Sequence, residues 1–358
     1  MIQISDTLRT PLDYARLSRE ELADRIRRRK TQLNAVILGH NYQRIEIQEV
    51  SDYLGDSLGL SQEAARTDAD VIVFCGVHFM AETAKILSPE KTVLMPDLRA
   101  GCPMADFVTG EALRGLKARY PGAVVVAYVN STAEVKAESD ISCTSANVVQ
   151  VVNTIPADRT ILLVPDRNLA RYAAERSGRP YVIAGREEGE VKPGSIVAWD
   201  GYCYVHDDLV MDELAAAKLK HPRALVVIHP ESRAELLAQA DIVASTAKMV
   251  DIAEQNDEVI FGTERGIVDR LKSRFPEKTL VPLSGAAICG NMKVNTLAKL
   301  AWCLDHQQHE LVLDEDVRTA AELSLRRMLE LNDGWLAPTA EEIALEEAGL
   351  RKTGCGCA

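Results

Sequence analysis

The strongest constraint on this chain is a pattern that occurs three times. The apolar runs "AVILGHNYQ" (35–43), "AVVVAYVNST" (123–132) and "ALVVIHPES" (224–232) each have the length of a buried strand and end in polar residues. The residues leaving them are His40, Tyr128 and His229. The stretches "IQEVSDYLG", "AEVKAESD" and "RAELLAQAD" follow and read as helical. A small hydroxyl residue stands 17 positions after each strand exit: Ser57, Ser145 and Thr246. Each opens or precedes a new helical pattern. The segments "DADVIVFCGVHFMAETAKIL", "DRTILLVPDRNLARYAAE" and "DEVIFGTERGIVDRLKSRF" then read as strand, turn and helix. A last strand follows each and runs into a loop with glycine and then cysteine: Cys102, Cys203 and Cys289.

Strand-length apolar runs alternating with helices are the signature of α/β domains with parallel sheets. A repeat at this scale means one unit used several times. The expected fold is therefore α/β, with three similar α/β units; a pseudo-threefold arrangement would set them, as α/β/α sandwich domains, around a central active site. The first unit spans 1–105 with an N-terminal helix, the second 106–206 and the third 207–296. From hydroxyl to cysteine the intervals are 45, 58 and 43 residues, so the middle unit carries an insertion, assigned to the polar stretch 177–194. Residues 297–358 read as helices that pack back on the units and end in Cys355-Gly356-Cys357.

A chain of 358 residues accommodates two or three domains. A net charge of -12 argues against a nucleic-acid binder, although a local basic pocket can hide in an acidic protein. No stretch approaches the ~18 apolar residues of a membrane helix, and the first residues lack the apolar core of a signal peptide. A cytoplasmic protein is expected. There thiols stay reduced, so the eight cysteines are not read as a disulfide framework. Their wide spacing does not resemble a zinc finger or ribbon.

Ligands of parallel α/β sheets gather at the carboxyl ends of strands. Three such units around one axis would bring Cys102, Cys203 and Cys289 to one centre. Three thiolates at one point can hold zinc with a water as fourth ligand. They can also hold a [4Fe–4S] cube with one iron open, a Lewis acid suited to dehydration. A lone buried cysteine is otherwise a small apolar residue, the reading for Cys75, Cys143 and Cys303. His40 and His229 at matched positions point to function more than one buried histidine would. Tyr128 and Asn130 leave their strand on one face, as do His229 and Glu231. Ser57, Ser145 and Thr246 read as helix N-caps, and helix N-termini bind phosphate or carboxylate. "ILGHNYQ" has no glycine fingerprint, which excludes a Rossmann dehydrogenase. A non-enzymatic scaffold explains the repeat but not the three cysteines.

The stretches "HNYQ", "GDSLGLS", "CGVHFMAETAKIL", "GCPM", "YVNS", "CTSAN", "GYCYVH", "HPE", "STAKM", "GTERG" and "CGNMKVNTL" together resemble the quinolinate synthase family, iron–sulfur enzymes of NAD biosynthesis. They run from about residue 36 to 300. The resemblance implies a [4Fe–4S] cluster held by Cys102, Cys203 and Cys289. It implies condensation of iminoaspartate with dihydroxyacetone phosphate to quinolinate, with loss of phosphate and two waters. By position it implies a substrate site lined by His40, Ser57, Tyr128, Asn130, Ser145, His229, Glu231 and Thr246, with Tyr42 assisting. Glu231 is read as general acid/base, with Tyr42 and His229 as further proton carriers. Contact with an aspartate-oxidising enzyme that supplies the imine is a further expectation. Some members of the family carry CxxCxxC near the third ligand; here "CGNMKVN" offers only Cys289, and the tail "CGC" is a candidate substitute for that pair.

Overall fold

The computed structural model describes residues 8–186 and 191–331. Three parallel sheets follow one another along the chain. The first contains β1 (Ala35–His40), β2 (Tyr53–Gly55), β3 (Val71–Cys75) and β4 (Thr92–Leu94), in the order β2-β1-β3-β4. The second contains β5 (Val124–Tyr128), β6 (Ile141–Cys143), β7 (Ile161–Val164), β8 (Tyr181–Ile183) and β9 (Ile196–Ala198), in the order β6-β5-β7-β9-β8. The third contains β10 (Leu225–Ile228), β11 (Ile242–Val243), β12 (Glu258–Gly262) and β13 (Thr279–Pro282), in the order β11-β10-β12-β13. The chain is α/β, and the three units share one topology. The central strands are runs of Val, Ile and Leu because helices cover both faces of a parallel sheet.

The stretches read as helical after each first strand are corrected by the structure. Each holds only a short helical turn (Ile45–Gln48, Ala133–Ala137, Ala234–Leu237) and then an edge strand, β2, β6 or β11. These strands are two or three residues long and have no apolar run to betray them. An aspartate holds each in place. The N–H of Ile37 donates to Asp52 Oδ2 at 2.8 Å, that of Val125 to Asp140 Oδ2 at 2.7 Å, and that of Val226 to Asp241 Oδ2 at 2.8 Å. The three aspartates stand 12 residues after His40, Tyr128 and His229, a second period in the repeat.

The insertion in the middle unit builds β8, which adds a fifth, parallel strand beside β9. It lies at the sheet edge remote from β5, so the extra residues lengthen the sheet without displacing the strand that ends at Tyr128. Residues 187–190 of the insertion lie outside the described residues. Helix Leu297–His306 packs on helix Arg19–Gln32 against the first unit, through Leu22, Ile26, Leu300 and Leu304. Helix Glu315–Leu329 lies on the second unit, where Ser324 meets Ser142 and Arg327 Nη1 donates to Asp140 O at 2.8 Å. Cys355 and Cys357 lie outside the described residues.

One apolar core joins the units. Val36 and Phe74 of the first, Val126 and Leu163 of the second, and Val227 and Phe261 of the third belong to a single buried cluster. Each unit therefore buries a face against its neighbours, and the strand ends meet over a common centre.

Candidate active site

The first strand of each unit delivers the same position to one cavity: His40 at the end of β1, Tyr128 at the end of β5 and His229 just beyond β10. Two residues on, Tyr42, Asn130 and Glu231 line it as well. Ser57 and Thr246 open the helices Ser57–Arg66 and Thr246–Gln255, and Ser145 precedes the helix Val148–Thr154. All three hydroxyl residues line the cavity. They are not the caps expected from the sequence. Asp56 caps the first of these helices through Gly59 N–H at 2.9 Å, and Ser245 and Asn147 hold the N-cap positions of the other two. Ser57 and Thr246, each one residue inside a helix, leave their own N–H and hydroxyl oxygen for a ligand, whereas Ser145 stands two residues before the N-cap of its helix.

Cys102, Cys203 and Cys289 line the same cavity, each a free thiol. A backbone N–H three residues further along is directed at each sulfur: Ala105 at Cys102, His206 at Cys203 and Met292 at Cys289. Burial pushes the Cys102 thiol up to about 12. Burial, then Glu231 and Cys289, push Cys203 well above the ordinary thiol value. A bound cation would supply the charge that draws these protons off. The remaining described cysteines pack elsewhere: Cys143 in the central core, Cys75 and Cys303 in the core of the first unit.

A chain of hydrogen bonds crosses the cavity wall. Tyr42 OH lies 2.6 Å from Thr263 Oγ1, which lies 3.0 Å from His206 Nε2; His206 Nδ1 lies 2.7 Å from Glu231 Oε2. Glu231 Oε1 accepts the hydroxyl of Tyr128. The directions agree with Nδ1 of His206 donating to Glu231 and Nε2 accepting from Thr263. Burial opposes charge on Glu231, but the hydrogen bonds it accepts from His206 and Tyr128 hold its carboxyl below the ordinary carboxylate range. Burial, then the charge on Glu231, push both tyrosines well above their ordinary value, so they remain donors. Burial brings His40 down to about 3, with the Lys293 charge adding to it, and brings His229 down to about 3. Both are neutral imidazoles, and His229 stacks on His206 with ring centres 4.4 Å apart.

His206 and Thr263 were not found from the sequence. Both lie in stretches quoted above, "GYCYVH" and "GTERG", but neither has a matched partner in the other units. The available signal was spacing: His206 is three residues after Cys203, one turn of helix. Asp56, also in the cavity, has a carboxyl raised by burial and receives the N–H of Ala247 from the third unit.

Residues 24–330 match the family described as "Quinolinate synthetase A protein". The chain belongs to that family. It is similar to "Quinolinate synthase" of Desulforudis audaxviator, 49% identical over 314 residues, covering 87% of this chain and 99% of that protein. It is 44% identical over 320 residues to "Quinolinate synthase" of Microcystis aeruginosa, covering 87% and 96% of the two chains. It is 46% identical over 315 residues to "Quinolinate synthase 1" of Methanosarcina acetivorans, covering 87% and 98%. As a member of this family the chain is an enzyme. No described helix is long and apolar enough to cross a membrane.

Proposed function

We propose that the protein condenses iminoaspartate with dihydroxyacetone phosphate to give quinolinate, phosphate and two waters, in the biosynthesis of NAD. The observation that carries this is the convergence of Cys102, Cys203 and Cys289, one from each unit, on the cavity that also holds the three hydroxyl residues. The donor set fits a [4Fe–4S] cluster: three soft thiols, no disulfide among them, and an N–H aimed at each sulfur. When bound, such a cluster leaves one iron without a protein ligand, a Lewis acid for a substrate hydroxyl or carboxylate.

The chain's own groups divide the remaining work. Ser57, Ser145 and Thr246 hold the anionic ends of the substrates at helix termini. Asn130 Oδ1 is buried without a partner, an acceptor waiting for a ligand hydroxyl or N–H. Glu231, already ionised, accepts protons; Tyr42 and Tyr128, held protonated, donate them; His206 passes protons between the two ends of the network. Neutral His40 and His229 offer ring nitrogens without adding charge. The apolar wall formed by Val77, Phe79, Met80 and Met104 limits water at the imine. A cytoplasmic location and an aspartate-oxidising enzyme as source of the imine belong to the same proposal.

A second reading rests on Cys203, His206 and Glu231, whose ligand atoms all lie within 4.8 Å of one another. That is a donor set for zinc. Anaerobic purification decides between the two. A brown protein with about four irons and matching sulfide per chain, a colourless Cys102→Ser variant and quinolinate formation by wild type support the cluster. A colourless wild type that contains zinc and resists reconstitution overturns it.

A further inference from the structure

The third strand of each unit turns into a helix through the same junction. The N–H of His78 donates to Ala100 O at 2.8 Å, that of Arg167 to Gly201 O at 2.9 Å, and that of Arg265 to Ala287 O at 2.7 Å. Each acceptor stands two residues before the cavity cysteine of its unit. This register aligns Val77, Asp166 and Glu264, each one residue before its donor. In the first unit Val77 packs into the apolar core. The junction forms there with no acid, so the fold alone does not require one in the other two.

Glu264 is fully buried and uses both oxygens. Oε2 accepts Gly266 N–H at 2.6 Å, capping the helix Arg265–Arg274, and Oε1 accepts Cys289 N–H at 3.1 Å. Lys293 Nζ lies 3.0 Å from Oε1 and donates to the Tyr42 carbonyl at 2.5 Å. The neighbouring contacts run the same way: Arg44 Nε donates to Lys293 O at 3.0 Å, and Gln43 Nε2 reaches Met292 Sδ at 3.4 Å. One carboxylate thus ties the cysteine loop of the third unit to the Tyr42 loop of the first. Asp166, its counterpart, caps its own helix through Leu169 N–H at 2.7 Å and faces the N–H of Cys203.

Building on the cluster reading, we propose that Glu264 is a positioning residue that fixes the Cys289 thiol and the Tyr42 loop relative to one another. Without it the Cys289 N–H and the Lys293 ammonium lose their buried partner, and both loops are free to shift. A misplaced sulfur is a weaker ligand even when the unit stays folded.

The test compares Glu264→Ala, Glu264→Gln and Leu271→Ala, all loaded anaerobically with iron and sulfide. Leu271 is buried in the same unit and touches none of these groups by hydrogen bond, so its variant measures the effect of destabilisation alone. The readouts are the rate of iron loss to a ferrous chelator, the visible spectrum, and the Tm of the unloaded protein. Glu264→Ala is expected to lose iron roughly 10–100-fold faster than wild type, with an altered spectrum. Glu264→Gln, which keeps an acceptor oxygen, restores most of the retention. Leu271→Ala holds iron like wild type despite a lowered Tm. Wild-type iron loss in Glu264→Ala overturns the assignment, and so does equally fast loss in Leu271→Ala. A wild type that takes up no iron overturns the cluster reading itself, a separate and recognisable result.

Discussion

His206 and Glu231 stand side by side in the cavity, Nδ1 to Oε2 at 2.7 Å, both almost without solvent contact. The pair sits midway in a hydrogen-bonded path from Tyr42 to Tyr128, two residues from different units. A proton delivered at either tyrosine has a route to the carboxylate.

Breaking the middle of that path separates the two ends while the cavity walls stay in place. His206→Gln retains a polar side chain but cannot relay a proton between two ring nitrogens. Loss of one positioned proton carrier costs about 10²–10⁴-fold in rate. The expected result is a fall in kcat of that order with a much smaller change in KM, measured by steady-state kinetics on the reconstituted enzyme. Unchanged kcat would remove His206 from proton transfer.

In the proposed function the three hydroxyl residues act on binding. Removing a hydrogen bond to a charged group costs about 1.5–3 kcal/mol, or roughly 10–100-fold in equilibrium terms. Ser57→Ala, Ser145→Ala and Thr246→Val should each lower kcat/KM within that range. The variant that raises KM for dihydroxyacetone phosphate most identifies the phosphate subsite, and product inhibition by inorganic phosphate should weaken in that same variant.

Glycine is demanded unequally in the cysteine loops. A Cβ on Gly201 would lie 2.5 Å from the Pro165 carbonyl and 3.0 Å from the Phe107 ring, whereas a Cβ on Gly101 meets nothing within 4 Å. A backbone oxygen cannot swing away as a side chain can. Gly201→Ala should therefore destabilise by about 1–3 kcal/mol and displace the loop carrying Cys203. Gly101→Ala should leave Tm nearly unchanged. Thermal unfolding of the two variants without metal checks this; equal Tm values would refute the contrast.

Asp97 gives the acid limb of stability a specific source. Its carboxylate takes both Nε and Nη2 of Arg99, at 3.0 and 2.7 Å, and Lys299 Nζ at 2.8 Å. Burial opposes its charge, but these partners hold its carboxyl well below the usual carboxylate range. A carboxyl depressed in the folded state contributes stability above its unfolded pKa, and that contribution is lost as pH falls through the folded value. Wild type should be more stable than Asp97→Asn at pH 7, and the gap should close below about pH 4. A gap independent of pH between 7 and 3, measured by denaturant unfolding, would mean that Asp97 acts by shape alone.

The sequence by itself determined the threefold architecture and most of the cavity. Matched spacing suffices for that: a parallel α/β unit puts its strand exits at one end, so His40, Tyr128 and His229, and the three cysteines, had to share an end of their sheets. Local pattern could not reveal β2, β6 and β11, because strands this short gain their stability from pairing with β1, β5 and β10 and from the bonds of Asp52, Asp140 and Asp241. Nor could it show that the insertion at 177–194 adds an edge strand away from the site.

What only the tertiary structure decided is where symmetry breaks. His206 meets Glu231 and Thr263 meets Tyr42 across units, and Glu264 reaches the Tyr42 loop through Lys293. A repeat in sequence reports what each unit does alone. Asymmetric chemistry at a threefold centre depends on the distances between units, which are set when the shared core closes.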